Sequence, residues 1–212
     1  TMVRLITILG FKRYDEFKAI YKKAASQMPV SNFTSHAKDL LNENHNNPFT
    51  DAEANVYKSL SGAFNEKTYK AIDSSVEKLM EAETVYILGM RSSFSMAFYL
   101  HYLLHFILPK TKLIRGQEGM LLSEISQINS NDVVIGLAAS GNTPFTCKVL
   151  EEANKKGALT IAISNNPNGD ILKFGQAQII LDTKEEVISG STRLKAGTAQ
   201  KICLNIISSM VM

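Results

Sequence analysis

The chain has 212 residues, 45% of them hydrophobic and 20% charged, with two Cys, no Trp and a formal net charge of +3. Ordinary hydrophobic content with both charge signs excludes a disordered chain, and two Cys set far apart in apolar runs exclude a disulfide framework or a zinc site. The positive charge is concentrated at one end. Residues 1–26 hold six basic residues against two acidic ones, while the remainder holds 17 basic and 18 acidic. Such asymmetry suits a nucleic-acid or membrane-facing end on a globular body, or a solvated helix face.

Taken in chain order, residues 1–28 place Val3, Ile6 and Leu9, then Phe11, Phe17, Ile20 and Tyr21, so as to fit two helices broken near Gly10. Residues 42–48 read Asn-Glu-Asn-His-Asn-Asn-Pro, a polar breaker that marks a linker or domain boundary. One long helix is expected over residues 50–82, its start at Phe49-Thr50-Asp51-Ala52-Glu53 resembling a capping signal.

From residue 84 the period changes. Strand-like runs fall at Val85–Leu88, Lys112–Ile114, Val133–Leu137, Thr160–Ser164 and Ile179–Leu181, with helical patterns near 93–108, 118–129, 144–156 and 194–211. Strands alternating with helices predict an α/β domain with one five-stranded, doubly wound parallel sheet. The apolar stretch Phe94 to Leu108 is too short to cross a bilayer and reads as a buried helix. No signal peptide is visible, and the cysteine usage fits a reducing compartment, so a cytoplasmic protein is expected.

In a doubly wound sheet of order 2-1-3-4-5, ligands bind between the carboxyl ends of strands 1 and 3. The two loops there are Gly89-Met90-Arg91-Ser92-Ser93-Phe94-Ser95 and Ala138-Ala139-Ser140-Gly141-Asn142-Thr143-Pro144. Both are small, rich in hydroxyls and open a helix, which suits a phosphate. The competing reading makes these Ser and Thr residues helix N-caps. Neither loop carries the G-x-G-x-x-G fingerprint or the Walker pattern, so no nucleotide cofactor is expected.

A third segment, Glu185 to Lys201, leads into the last helix. Its carboxylates could accept sugar hydroxyls or act as a base, and Ser191, Thr192 and Lys195 could bind oxyanions. Cations at a helix start run against the macrodipole and hint at an anionic partner. The alternative is a capped helix with a solvated basic first turn. His101 and His105, one turn apart, read as packed side chains rather than a metal pair, because no acidic third ligand accompanies them. No metal is expected.

These residues carry a resemblance. Residues 84–212 look like a sugar isomerase (SIS) domain, with Ser140-Gly141-Asn142-Thr143 matching its phosphate loop and Gly89 to Ser93 its first sugar-phosphate loop. From Ala138 onward the chain is similar to N-acetylmuramic acid 6-phosphate etherases, most specifically through Ser189-Gly-Ser-Thr-Arg-Leu-Lys-Ala-Gly-Thr-Ala-Gln-Lys201. The resemblance gives Glu186 a sugar-contacting role. The chain departs from the etherases in its first loop, where Met90-Arg91-Ser92-Ser93-Phe94 stands for Gly-Thr-Ser-Gly-Arg-Leu and leads to no acid/base Glu. Asn142 also replaces a usual Arg.

Residues 1–28 resemble the helix-turn-helix end of RpiR-type transcriptional regulators, through a Thr-Met-Val-Arg helix start, Leu9-Gly10-Phe11 and Glu16-Phe17-Lys18. That resemblance implies a truncated DNA-binding part at 1–28, a linker at 29–48 and an SIS domain with an N-terminal helix at 49–212. Met2, Arg4 and Thr7, with Lys12 and Arg13, would face DNA. The implied function is a regulator responsive to a phosphorylated amino sugar, held by Gly89, Ser92, Ser93, Ser140, Gly141, Asn142, Thr143, Glu186, Ser191, Thr192 and Lys195. A homodimer or homotetramer with operator DNA as partner and no membrane contact is expected. The alternative is an SIS-fold enzyme, an etherase or a sugar-phosphate isomerase.

Overall fold

The structure is a computed structural model that describes residues 48–116, 121–186 and 191–212, together with Glu16. The expected helix-turn-helix, with Met2, Arg4, Thr7, Lys12 and Arg13, and the linker up to residue 47 lie outside the described residues. The chain divides into two compact units, Thr1–Asp51 and Ala52–Met212. The second unit contains the sheet and the helices that cover it.

Two helices, α1 (Pro48–Ala63) and α2 (Glu66–Glu81), stand where a single one was expected. The break has a local cause. Asn65 is extended at φ −127° and its side-chain oxygen accepts hydrogen bonds from the backbone N–H of Lys67 and Thr68, at 3.0 and 3.2 Å. An Asn so placed satisfies two of the four free N–H groups of a new helix, which is why the chain restarts there. α2 buries Ile72, Val76 and Leu79 one turn apart against the sheet.

The sheet follows, built from β1 (Val85–Gly89), β2 (Thr111–Ile114), β3 (Val133–Ala138), β4 (Leu159–Ser164) and β5 (Ala177–Ile180). All neighbours pair in parallel and the order is β2-β1-β3-β4-β5, as the sequence pattern predicts. The three central strands are buried almost throughout, as a sheet covered on both faces demands. Alternate residues serve opposite faces. Val85, Ile87, Val133, Ile135, Leu137, Ile161 and Ile163 pack with α2, with α3 (Ser92–His105) and with α6 (Ala196–Val211). Tyr86, Leu88, Val134, Ala138 and Ala162 pack instead with α5 (Pro144–Lys155) and with a 3₁₀ helix over Asp170–Phe174. A short α4 (Leu121–Ser126) completes the elements.

α3 corrects the reading of 94–108 as buried. Ala97, Leu100 and Leu104 face the core, but Phe98 and Tyr102 are 51% and 54% exposed, and Phe106 just beyond the helix is 73% exposed. A layer helix covers a sheet with one face only, so the outward face of an all-round apolar helix stays in water. His101 and His105 stack on each other with ring centroids 5.7 Å apart. Among the described residues no group of three or more His, Cys, Asp or Glu is placed to hold a metal, and no helix is long and apolar enough to cross a membrane.

Candidate functional site

The carboxyl ends of β1 and β3 lie side by side, with Gly89 registered against Leu137. Both chains then turn into helices, α3 and α5, leaving a crevice of about 690 Å³ between the two loops. Ser92, Ser93, Ser140, Asn142, Thr143, Ser191 and Thr192 all line it. So do Met90, Arg91, Phe145 and Arg193, which the sequence reading did not single out.

The loops are held by close backbone approach. A Cβ on Gly89 would stand 2.4 Å from the carbonyl oxygen of Ser93, so only glycine lets β1 run this close to the first turn of α3. Gly141 has φ +75° and a Cβ there would meet the Cα of Gly169 at 2.4 Å. The β3 loop is consequently fastened to the loop after β4. Asn165 N–H donates to the Ala139 carbonyl at 3.2 Å, Ile171 N–H to Gly141 at 2.8 Å, and the Asn166 side chain to Ser140 at 3.0 Å. The Asn142 side-chain oxygen accepts from Asp170 N–H at 2.9 Å. Asn165 itself is buried, donating to the carbonyls of Leu181 and Ala196 and accepting from Gln200. Pre-organisation of this kind is what a polar binding loop requires.

The hydroxyls fall into distinct roles. Neither helix is capped by a side chain: the N-cap of α3 is Arg91 and that of α5 is Thr143, each without a capping hydrogen bond. Helix capping therefore does not account for these loops. Ser93 is buried, and its hydroxyl accepts from Ala139 N–H at 3.1 Å, tying the two loops together. Ser140 accepts from Asn142 N–H at 3.3 Å. The Ser92 and Thr192 hydroxyls are 2.8 Å apart and hydrogen-bonded, so the segment before α6 reaches across to the β1 loop. Two residues at this crevice, Arg91 (φ 55°) and Thr192 (φ 45°), hold positive φ although neither is glycine.

Glu186 and Lys195 do not line the crevice. The Glu186 carboxylate accepts from Lys195 N–H at 3.2 and 3.1 Å and from Ala196 N–H at 3.1 Å, at the start of α6. The anionic partner that the basic helix start called for is this residue of the same chain. Lys195 is buried rather than solvated, and its ammonium donates to the Asn55 side chain at 2.8 Å and the Glu185 carbonyl at 2.9 Å. Burial lowers its pKa, opposed by the nearby Glu186 and Glu185 carboxylates. It lines a separate cavity of about 640 Å³ beside α1, with Lys58 and Lys184.

Among the described residues, the crevice lining supplies hydroxyl, amide and guanidinium groups but no carboxylate, imidazole or thiol. Arg91 and Arg193 form no ion pair among the described residues. The chemistry of such a lining suits an anion.

Comparisons with known proteins bear on the family and the fold. Residues 78–208 match the family model of the SIS domain. Over 86 residues the chain is 54% identical to the N-acetylmuramic acid 6-phosphate etherase of Oceanobacillus iheyensis, covering 41% of this chain and 29% of that enzyme. Over 107 residues it is 49% identical to a Bacillus cereus etherase, covering 48% of this chain and 36% of the relative. The chain thus spans about a third of the length of the curated relatives it matches. Vibrio vulnificus NanR, solved in complex with ManNAc-6P, superposes with a TM-score of 0.68 at 16% identity, over 99% of this chain and 72% of that one. The sugar isomerase domain of an RpiR transcription factor from Sphaerobacter thermophilus gives 0.64 at 18% identity, over 77% and 86%. At these identities the likeness concerns the fold. Fold, strand order and family model together show that this chain belongs to the SIS domain family.

Proposed function

We propose that the chain is the sensing part of a transcriptional regulator that binds a phosphorylated amino sugar, such as N-acetylmuramic acid 6-phosphate, in the β1–β3 crevice. The observation that carries this reading is the pair of facing hydroxyl loops, neither used to cap its helix. Ser140, Thr143 and Ser92 would hold the phosphate, with Gly89 and Gly141 permitting the close backbone approach that shapes their loops. Thr192 and Ser191 would close on it from the α6 side. Asn142 supports the loop, Ser93 ties the two loops together, and Glu186 and Lys195 act on the sugar site through the start of α6.

Support for a regulator comes from two sides. Lys195 fastens the segment that lines the crevice to Asn55 on α1, the helix from which the chain runs back toward residues 1–47. The RpiR protein with which the fold superposes is named a transcription factor, and NanR was solved with ManNAc-6P bound. Met2, Arg4 and Thr7 would then read operator DNA, with Lys12 and Arg13 on its phosphates, in the division 1–28, 29–48 and 49–212. The exposed Phe98, Tyr102 and Phe106 supply apolar surface for a homodimer or homotetramer.

Calorimetric titration with hexosamine 6-phosphates tests the ligand. Saturable binding that Ser140→Ala weakens about tenfold or more is expected, about 1.4 kcal/mol for one lost charge-assisted hydrogen bond. Absence of heat with every phosphosugar would remove the reading. Etherase activity is favoured by the 54% identity to a named etherase. Lactate release from N-acetylmuramic acid 6-phosphate, abolished by Glu186→Gln, would establish it in place of the regulator.

A further inference from the structure

The side of α1 that borders the cavity of about 640 Å³ is polar along its length. Asn55, Lys58, Ser59 and Gly62 all line that cavity, at the i, i+3, i+4 and i+7 spacing of a single helix stripe. A stripe turned toward the body of a domain is ordinarily apolar. This one offers an amide, an ammonium and a hydroxyl. The same cavity is lined by Lys184, in the connection after β5, and by Lys195, at the start of α6. We propose that it is a second ligand site, separate from the β1–β3 crevice, which takes a compact oxyanion with more than one acidic group, such as a diphosphate or a tricarboxylate.

The lining holds three ammonium groups from three segments against one carboxylate, Asp182. That carboxylate is already engaged by the Lys184 ammonium and by the Lys184 N–H. Lys195 is 4% exposed, and among the described residues its ammonium is in no ion pair, donating only to the neutral oxygens of Asn55 and Glu185. An ammonium has three protons to donate, and burying one without a counter-charge is costly, a cost that a bound anion would offset. Lys58 and Ser59 have no side-chain partner among the described residues. Gly62 has no packing reason to be glycine. It lies in a helix, where glycine is destabilising, and a Cβ there would meet nothing within 4 Å. The missing side chain leaves the cavity wall open. Lys184 holds φ at 57°, and the other non-glycine residues with positive φ among those described, Arg91 and Thr192, line the crevice. Strain of this kind gathers at ligand sites. Ammonium groups carried on three segments are matched by two or three acidic groups in one molecule, whereas a sugar monophosphate brings one.

Calorimetric titration of the full chain with pyrophosphate and with citrate, each in saturating N-acetylglucosamine 6-phosphate, tests the site and tells a diphosphate from a tricarboxylate. Saturable binding of at least one of them is expected, about tenfold or more tighter than that of inorganic phosphate. Gly62→Glu puts a carboxylate into the cavity wall and should weaken that binding about tenfold or more, while Gly62→Ala should leave it within about twofold. Lys58→Gln should weaken it about fivefold. Lys148→Gln, which removes a lysine of the α5 ion pairs, should leave it within about twofold. Gly62 and Lys58 are exposed, so these variants are expected to fold, and an unchanged melting temperature checks that. Binding of neither anion, or binding that Gly62→Glu and Lys58→Gln leave unchanged, would overturn the site. So would an equal loss with Lys148→Gln, the mark of unspecific charge attraction. These comparisons stand apart from the phosphosugar reading, because the substitutions lie at this cavity and not at the crevice.

Discussion

Arg91 and Thr192 adopt backbone conformations that cost a non-glycine residue about 1–3 kcal/mol each, and both line the crevice. At Arg91 the strain can be separated from the side chain. Arg91→Gly is expected to raise unfolding free energy by about 1 kcal/mol in urea while weakening phosphosugar binding. A variant both less stable and equally avid would show that the residue is placed for packing alone. At Cys203, burial pushes the thiol up to about 12, and Cys147 is raised as well, by burial first and then by Asp170. At pH 8 only about one Cys203 in ten thousand would be thiolate. Neither cysteine should react with a thiol reagent before unfolding, a point that timed labelling checks. Both were readable as core residues from their apolar surroundings. Glu186 and Lys195 were not readable in the same way. Their place beside the crevice in sequence says nothing of which way each side chain turns, and the free N–H groups at the start of α6 captured the Glu186 carboxylate.

Elements were legible where period and length agreed. The five strands are apolar, short and bounded by turn residues, and their predicted centres lie inside the observed β1 to β5. With alternation of helix and strand, that sufficed for sheet order and for placing the two loops. Two features escaped. The 3₁₀ helix at Asp170–Phe174 is too short to show a period. The restart at Asn65 lies inside a pattern that remains helical on both sides, so only the capping geometry reveals it. Asn65→Ala removes both capping bonds and is expected to cost about 1 kcal/mol in urea unfolding, with the ligand affinity unchanged. A cost near zero would mean that α1 and α2 are separated by packing, with Asn65 incidental.

At the scale of the molecule, an asymmetric charge distribution accompanies a neutral α/β body whose crevice is lined by hydroxyls and arginines. Under the proposed reading, a crevice whose described lining holds no base would report a phosphosugar without consuming it. By mass action a ligand at a hundred times its Kd stabilises the chain by about 2.7 kcal/mol, so occupancy is measurable wherever the sugar binds. Location is the more demanding question. Hydrogen–deuterium exchange on the full chain, with and without saturating N-acetylglucosamine 6-phosphate, addresses it directly. Protection is expected at residues 90–95, 139–146 and 191–194 and little elsewhere in residues 48–212. Protection centred instead on the cavity beside α1, around Lys58, Lys184 and Lys195, or none at all at saturation, would contradict the β1–β3 crevice as the sugar-phosphate site.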